Sequence, residues 1–186
     1  MKTTALIVLA AVLGFSGTAN ARRRHFGGGQ SDYQSNGTFG LGLELGEPTS
    51  LNGKLFLTPS GALDFGIGTL YHYYVPGNND GLHLYLDYLW HPFLITEAPA
   101  FKLPFYVGLG GRIWFGDFVC GPGGVTCNAD IFGVRVPVGI DFDFNEVPLD
   151  VFIQIVPTLD FFRDFNNHGD VELDFDFSVG IRYWFS

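Results

Sequence analysis

The stretch Val171-Glu172-Leu173-Asp174-Phe175-Asp176-Phe177-Ser178-Val179-Gly180-Ile181-Arg182-Tyr183-Trp184-Phe185 alternates almost without a break. Its odd positions, Val171, Leu173, Phe175, Phe177, Val179, Ile181, Tyr183 and Phe185, are all apolar. Its even positions are Glu172, Asp174, Asp176, Ser178, Gly180, Arg182 and, as the one large apolar residue, Trp184. A period of two is a strand whose two faces meet different surroundings. An apolar face ending in Tyr-x-Phe suits a strand of a membrane β-barrel, which turns aliphatic groups to lipid and aromatic ones to the lipid–water boundary.

The composition agrees. The 186 residues are enough for one domain. Aromatic residues make up 17%, with 20 Phe, while only 16% of residues are charged, against about a quarter in soluble proteins. Lysine is confined to Lys2, Lys54 and Lys102. A soluble sandwich would cover its outside with Lys, Glu and Thr, which this chain lacks. The formal net charge of −9 argues against a nucleic-acid partner, whose phosphates need basic contacts.

Residues 1–21 read as a secretory signal peptide. Lys2 supplies the positive start, Ala5 to Phe15 the short apolar run, and Ala19-Asn20-Ala21 the cleavage site. Cleavage after Ala21 is expected, with Ala19 as the other choice. The run Arg22-Arg23-Arg24 just beyond the cut is unusual, because positive charge resists export. Residues 22–36 are rich in Gly, Ser and Gln without periodicity, and read as a flexible leader. Residues 37–186 form the barrel domain.

Eight strands are expected there: Thr38–Gly46, Leu51–Leu57, Ala62–Tyr74, Leu82–His91, Phe105–Phe115, Ile131–Phe144, Leu149–Leu159 and Val171–Phe185. An even number of strands of about ten residues matches a bacterial transmembrane barrel. With both termini in the periplasm, the long polar connections Gly116–Asp130 and Asp160–Asp170 fall outside the cell. The turns Thr58–Gly61 and Asn145–Pro148 fall inside. Pro92–Pro104 breaks this pattern as a long periplasmic connection. Pro137 and Pro157 interrupt the strand pattern, each removing a ladder donor, and bulges are expected there.

Parity then sorts the faces. Inward fall many glycines, among them Gly66, Gly110, Gly133 and Gly180, together with charged residues. The acids are Glu44, Asp64, Asp87, Asp141, Asp143, Asp150 and Asp176; the cations are Lys54, Arg112, Arg135 and Arg182. An eight-stranded barrel has room inside only for side chains, so small residues must stand where long charged ones meet. Outward fall the aliphatics, with Tyr71, Tyr73, Tyr88, Trp90 and Tyr183 near strand ends as an aromatic girdle.

The signal peptide, the eight alternating strands and the aromatic C-terminus resemble the family of small eight-stranded outer-membrane barrels typified by OmpX and the barrel domain of OmpA. The segments Leu45-Gly46-Glu47-Pro48-Thr49, Tyr106-Val107-Gly108-Leu109-Gly110-Gly111-Arg112 and Gly133-Val134-Arg135-Val136-Pro137-Val138-Gly139 also resemble a family of uncharacterised bacterial outer-membrane barrel proteins. The resemblance covers Phe39 to Phe185. It implies an all-β, up-and-down transmembrane barrel in the bacterial outer membrane, with outer-membrane lipids as surroundings. It also implies the barrel-assembly machinery as a partner of the C-terminal strand, although the chain ends on Ser186 where such strands usually end on Phe. It carries no catalytic residue, and the extracellular partner is unknown.

Several side chains could carry chemistry. Cys120 and Cys127 bracket Gly-Pro-Gly-Gly-Val-Thr in an exported chain, which reads as a local disulfide. Asp141 with Asp143, and Asp174 with Asp176, each place two carboxylates on one strand face. Such pairs suit Ca²⁺ or acid–base work, against an interior ion-pair network with Lys54, Arg112, Arg135 and Arg182. His72 and His83 face inward on neighbouring strands, where Asp87 would complete a metal set; hydrogen-bonded packing is the plainer reading, while His168 lies in a solvated loop. Ser50, Ser60 and Ser178 show no spacing that sets a nucleophile beside a lipid-facing His. No cofactor, metal or catalytic residue is therefore assigned. The expected role is structural or surface-interacting, with a plugged polar lumen. The alternatives are a narrow channel for water or small ions, a lipid-modifying enzyme, and a soluble lipocalin-like carrier with its apolar face inside.

Overall fold

The computed structural model describes residues 33–70, 81–121, 125–163 and 169–185. The signal peptide with its cleavage site, residues 22–32 of the leader, Tyr71, His72, Tyr73, His168 and Ser186 lie outside the described residues.

Period-two alternation gives strands throughout: β1 Phe39–Gly46, β2 Thr49–Phe56, β3 Gly61–Leu70, β4 Gly81–Glu97, β5 Phe101–Gly121, β6 Val125–Arg135, β7 Val138–Phe144, β8 Leu149–Arg163 and β9 Gly169–Phe185. Every pairing is antiparallel, and the sheet closes on itself, since β4 pairs with β5 and β1 with β9. β6 and β7 share one place in the wall. Both pair with β5 on one side and β8 on the other. The register also runs straight through the break: Gly110 faces Arg135 and Val107 faces Val138. The ring therefore has eight strand positions.

The interruption falls at Val136 and Pro137. Pro137 has no N–H for the ladder, but its carbonyl accepts from Gly108 N at 2.8 Å, and Val136 N donates to Pro157 O at 2.9 Å. The expected disruption at Pro157 does not occur. Pro157 stays within β8, opposite Phe175.

Three connections differ from the sequence reading. Pro92–Pro104 is a hairpin rather than a long loop, because β4 runs on to Glu97 and β5 starts at Phe101. Register shifts at Trp90/Phe93 and Leu94/Thr96 absorb Pro92, as a bulge does by re-aiming side chains; His91 and Leu94 both end up buried. Much of Gly116–Asp130 is ladder, with β5 reaching Gly121 and β6 starting at Val125. Likewise β8 and β9 extend to Arg163 and Gly169, so Asp160 lies in a strand. The turn after β1 starts at Gly46, whose φ of 125° is a conformation glycine adopts without cost.

The wall is apolar outside and polar inside. Leu109 is 63% and Phe175 60% exposed, whereas Glu44 is 0% and Arg182 1% exposed. This is the reverse of a water-soluble carrier, so the lipocalin-like alternative fails. The inner glycines make room for their large neighbours. A Cβ at Gly66 would stand 2.2 Å from the Tyr85 ring, one at Gly180 2.3 Å from the Phe152 ring, and one at Gly133 2.2 Å from an Asp160 oxygen.

Candidate functional site

The lumen holds the chemistry. Chain alternation turns one residue in two inward, and ring closure brings strands far apart in sequence face to face.

At mid-height the side chains form a saturated layer. Arg182 of β9 donates from Nε to both oxygens of Asp150 at 2.9 and 3.1 Å. Its Nη1 reaches Asp64 at 3.1 Å and Asn52 at 3.2 Å, and its Nη2 reaches Asp141 at 2.8 Å. The guanidinium also lies over the Phe152 ring, 4.2 Å from its centroid. Lys54 Nζ donates to the other Asp141 oxygen at 2.5 Å. Among the described residues Glu44 is held by four neutral donors. Ser178 at 2.6 Å and Gln154 at 2.8 Å serve one oxygen, while Ser50 and Tyr85, both at 2.7 Å, serve the other. Four donors on one carboxylate replace the water it lost on burial.

Towards the end away from the termini sits a second group. Arg112 of β5 binds Asp160 through Nε at 2.9 Å and also through Nη2. It reaches Asp176 at 2.7 Å and Asp174 at 2.9 Å. Arg135 has fewer partners. Its Nε donates to Asp87 at 3.1 Å, its Nη1 stands 3.6 Å from Asp176, and it covers the Tyr85 ring at 4.2 Å.

At the opposite end the leader enters the mouth. Tyr33 is 2% exposed and lies against Phe56 and His91, with ring centroids 5.8 and 5.2 Å away. Its hydroxyl donates to Asp143 Oδ2 at 3.1 Å. Burial, and then the Asp143 charge, push the Tyr33 phenol well above its ordinary value, so it stays a donor. Asn36 donates to the same carboxylate from its backbone N at 3.2 Å and its side chain at 3.1 Å. Lys102 donates to Gln34 O at 3.0 Å and to Asn36 Oδ1 at 2.7 Å. Residues 33–36 thus differ from the flexible leader expected. Tyr33 offers an aromatic body to an aromatic mouth, and Asp143 needs donors once buried. Replacing Tyr33 by Phe should lower stability by about 1.5–3 kcal/mol, the usual worth of a hydrogen bond to a charged group, read as an earlier urea midpoint.

The structure therefore brings Lys54, Asp64, Asp141, Asp150 and Arg182 into one group, and Arg112 with Asp176 into another. Asp87 and Arg135 pair beside it, while Glu44 and Asp143 are held by neutral donors. Asp141, Asp174 and Asp176 contact cations of the chain, and among the described residues no group of three or more His, Cys, Asp and Glu side chains is arranged to hold a metal ion. Ser50 and Ser178 point to Glu44 inside the lumen, away from the lipid face. Tyr85 and Gln154, which the sequence reading did not single out, share the parity of His83 and Asp150 and turn their polar ends to Glu44. Asp160, expected to open a polar loop, lies in β8 opposite Glu172 and so joins the Arg112 group. The backbone of Cys120 and Cys127 lies in β5 and β6, with Cys127 opposite Phe118; their side chains lie outside those described.

Two solved structures align with this chain. The N-terminal β-barrel domain of Pseudomonas aeruginosa OprF aligns with a TM-score of 0.56 at 15% identity, covering 80% of this chain and 98% of that one. Neisserial surface protein A (NspA) aligns with a TM-score of 0.45 at 13% identity, covering 79% and 93%. The first likeness bears on the fold alone. No curated protein matches the sequence. The family model described as "Protein of unknown function (DUF3996)" matches residues 30–186, and the chain belongs to that family.

Proposed function

We propose that this protein is an integral outer-membrane β-barrel, exported through a cleaved signal peptide, with a plugged lumen and a structural or surface-interaction role rather than catalysis. The observation that carries the reading is the mid-height layer. Arg182, Lys54, Glu44 and their partners link β1, β2, β3, β4, β7, β8 and β9 across the lumen, leaving the width of an eight-stranded barrel to side chains. The apolar outer wall supports lipids as its surroundings, and β9 offers the alternating segment that barrel-assembly machinery would read. Surface contacts would fall to the hairpins at the end away from the termini.

Planar-bilayer recording tests the plug. The refolded protein should give no steady conductance steps; large, steady steps would sink the plugged reading and favour the narrow channel. Fractionation tests the location. The protein should sediment with outer membranes and resist carbonate extraction, and recovery from the soluble periplasm would refute it.

The disulfide belongs to the same proposal. Cys120 and Cys127 sit on paired strands near one hairpin tip. Their ring is short, so its contribution is at the low end, about 2–3 kcal/mol at most. Mass spectrometry of envelope protein should find the two thiols joined, and a double Cys→Ser variant should still assemble.

A further inference from the structure

In the half of the lumen away from the termini, several polar atoms from three strand positions have no hydrogen-bond partner among the described residues. They are both ring nitrogens of His83, Oδ1 of Asp87, both Nη atoms of Arg135 and Oδ1 of Asp176. The four residues are 0–1% exposed. They converge: Arg135 hydrogen-bonds Asp87, stands 3.6 Å from Asp176, and stacks on Tyr85, whose ring is 5.7 Å from that of His83. The mid-height layer differs: among the described residues, none of the buried unpartnered atoms belongs to Glu44, Lys54, Asp64, Asp141, Asp150 or Arg182. Leaving a buried donor or acceptor unsatisfied costs about 1–3 kcal/mol each, and here they gather in one place.

We propose that His83, Asp87, Arg135 and Asp176 form a binding site for a cluster of structural waters, closed on one side by the Glu44–Arg182 layer. The donor and acceptor inventory selects water. Arg135 offers only donors and the two Asp oxygens only acceptors, while a neutral His83 offers one of each. A bridging molecule must accept from the guanidinium and donate to the carboxylates, as water does with its usual ~3 hydrogen bonds. A bare anion would face Asp87 and Asp176, and a metal cation would face Arg135. The lumen is thus wet in one half and sealed at its middle. The inference rests on the plugged reading, but its test reads the site and not the conductance.

X-ray radiolytic footprinting, which oxidises side chains beside bound water, separates the cases. Tyr85 and Tyr106 are both buried, at 4% and 1% exposure, and both donate a hydrogen bond; Tyr85 borders the proposed site. In the refolded barrel Tyr85 should be oxidised several-fold faster than Tyr106. Arg135→Met or, should that variant not fold, His83→Phe should bring Tyr85 down to the Tyr106 rate. Equal rates in the wild type, or a Tyr85 rate that neither variant lowers, would overturn the site. A crystal structure with water within reach of Arg135 Nη and Asp87 Oδ1 would support it directly; a dry, packed contact there would overturn it.

Discussion

Replacing Arg182 by Met should destabilise the folded barrel by about 3–5 kcal/mol, the usual cost of removing one partner from a buried ionic group. The guanidinium serves Asp64, Asp141 and Asp150 at once, all at 1% exposure, and its removal leaves Asp141 to Lys54 and Asp64 to the neutral Asn52 amide. Those carboxylates cannot turn to water, because the wall encloses them. Met keeps much of the volume over Phe152, so the loss reports charge and hydrogen bonds more than a cavity. Arg182→Lys should lose less than Arg182→Met but remain below wild type, since a point charge cannot reproduce the fork. Arg112→Ala should cost a similar amount, because Arg112 answers Asp160, Asp174 and Asp176. Arg135→Ala should cost less, as among the described residues only its Nε has a hydrogen-bond acceptor. Urea unfolding of the refolded variants measures the order. An unchanged midpoint for Arg182→Met would mean that the mid-height layer does not hold the barrel together.

The wall was legible because period two is written residue by residue. β9 and β1 each carry their facing in their own alternation, and their pairing, Leu43 with Ile181 and Glu44 with Gly180, joins like faces. Strand ends were less legible. Pro92 reads as a stop, yet two register shifts carry the strand past it. Asp160 reads as the start of a polar loop, because no local signal separates an extended hairpin from a loop until its partner strand is known.

The partners inside the lumen were the least legible. That Glu44, Lys54 and Arg182 face inward follows from parity. That Glu44 is met by Ser50, Tyr85, Gln154 and Ser178 does not, because those donors come from β2, β4, β8 and β9 and meet only once the ring closes. Sequence could count the inward acids against the cations and see an excess. It could not show that neutral donors take up part of that excess, with Glu44 inside the wall and Asp143 under Tyr33 and Asn36. Composition marked the leader as loose, and the short run 33–36 carries too few residues to contradict it.

Leu84→Arg and Ile153→Arg should each cost about 2–4 kcal/mol in a bilayer, the penalty for a cation on the lipid face near the midplane of a membrane barrel. Leu84 lies on β4 between Ile67 and Ile113, and Ile153 on β8 between Ile140 and Val179. Both alternate with buried neighbours: His83 and Tyr85 flank Leu84, and Phe152 and Gln154 flank Ile153. An arginine at either place cannot turn inward without entering a lumen already filled, so it must stay against lipid or snorkel towards an interface. The two sites lie on different strands with no direct pairing, so a double variant should lose roughly the sum. The same substitutions assayed in a zwitterionic detergent micelle should cost less, because water and headgroups reach the wall more easily. This difference between bilayer and micelle isolates the membrane's share from any local packing loss. Variants that unfold in bilayers as the wild type does would refute lipid contact at these positions. With it would go the reason for the exposed Leu, Ile, Val and Phe that cover the outside of the ring.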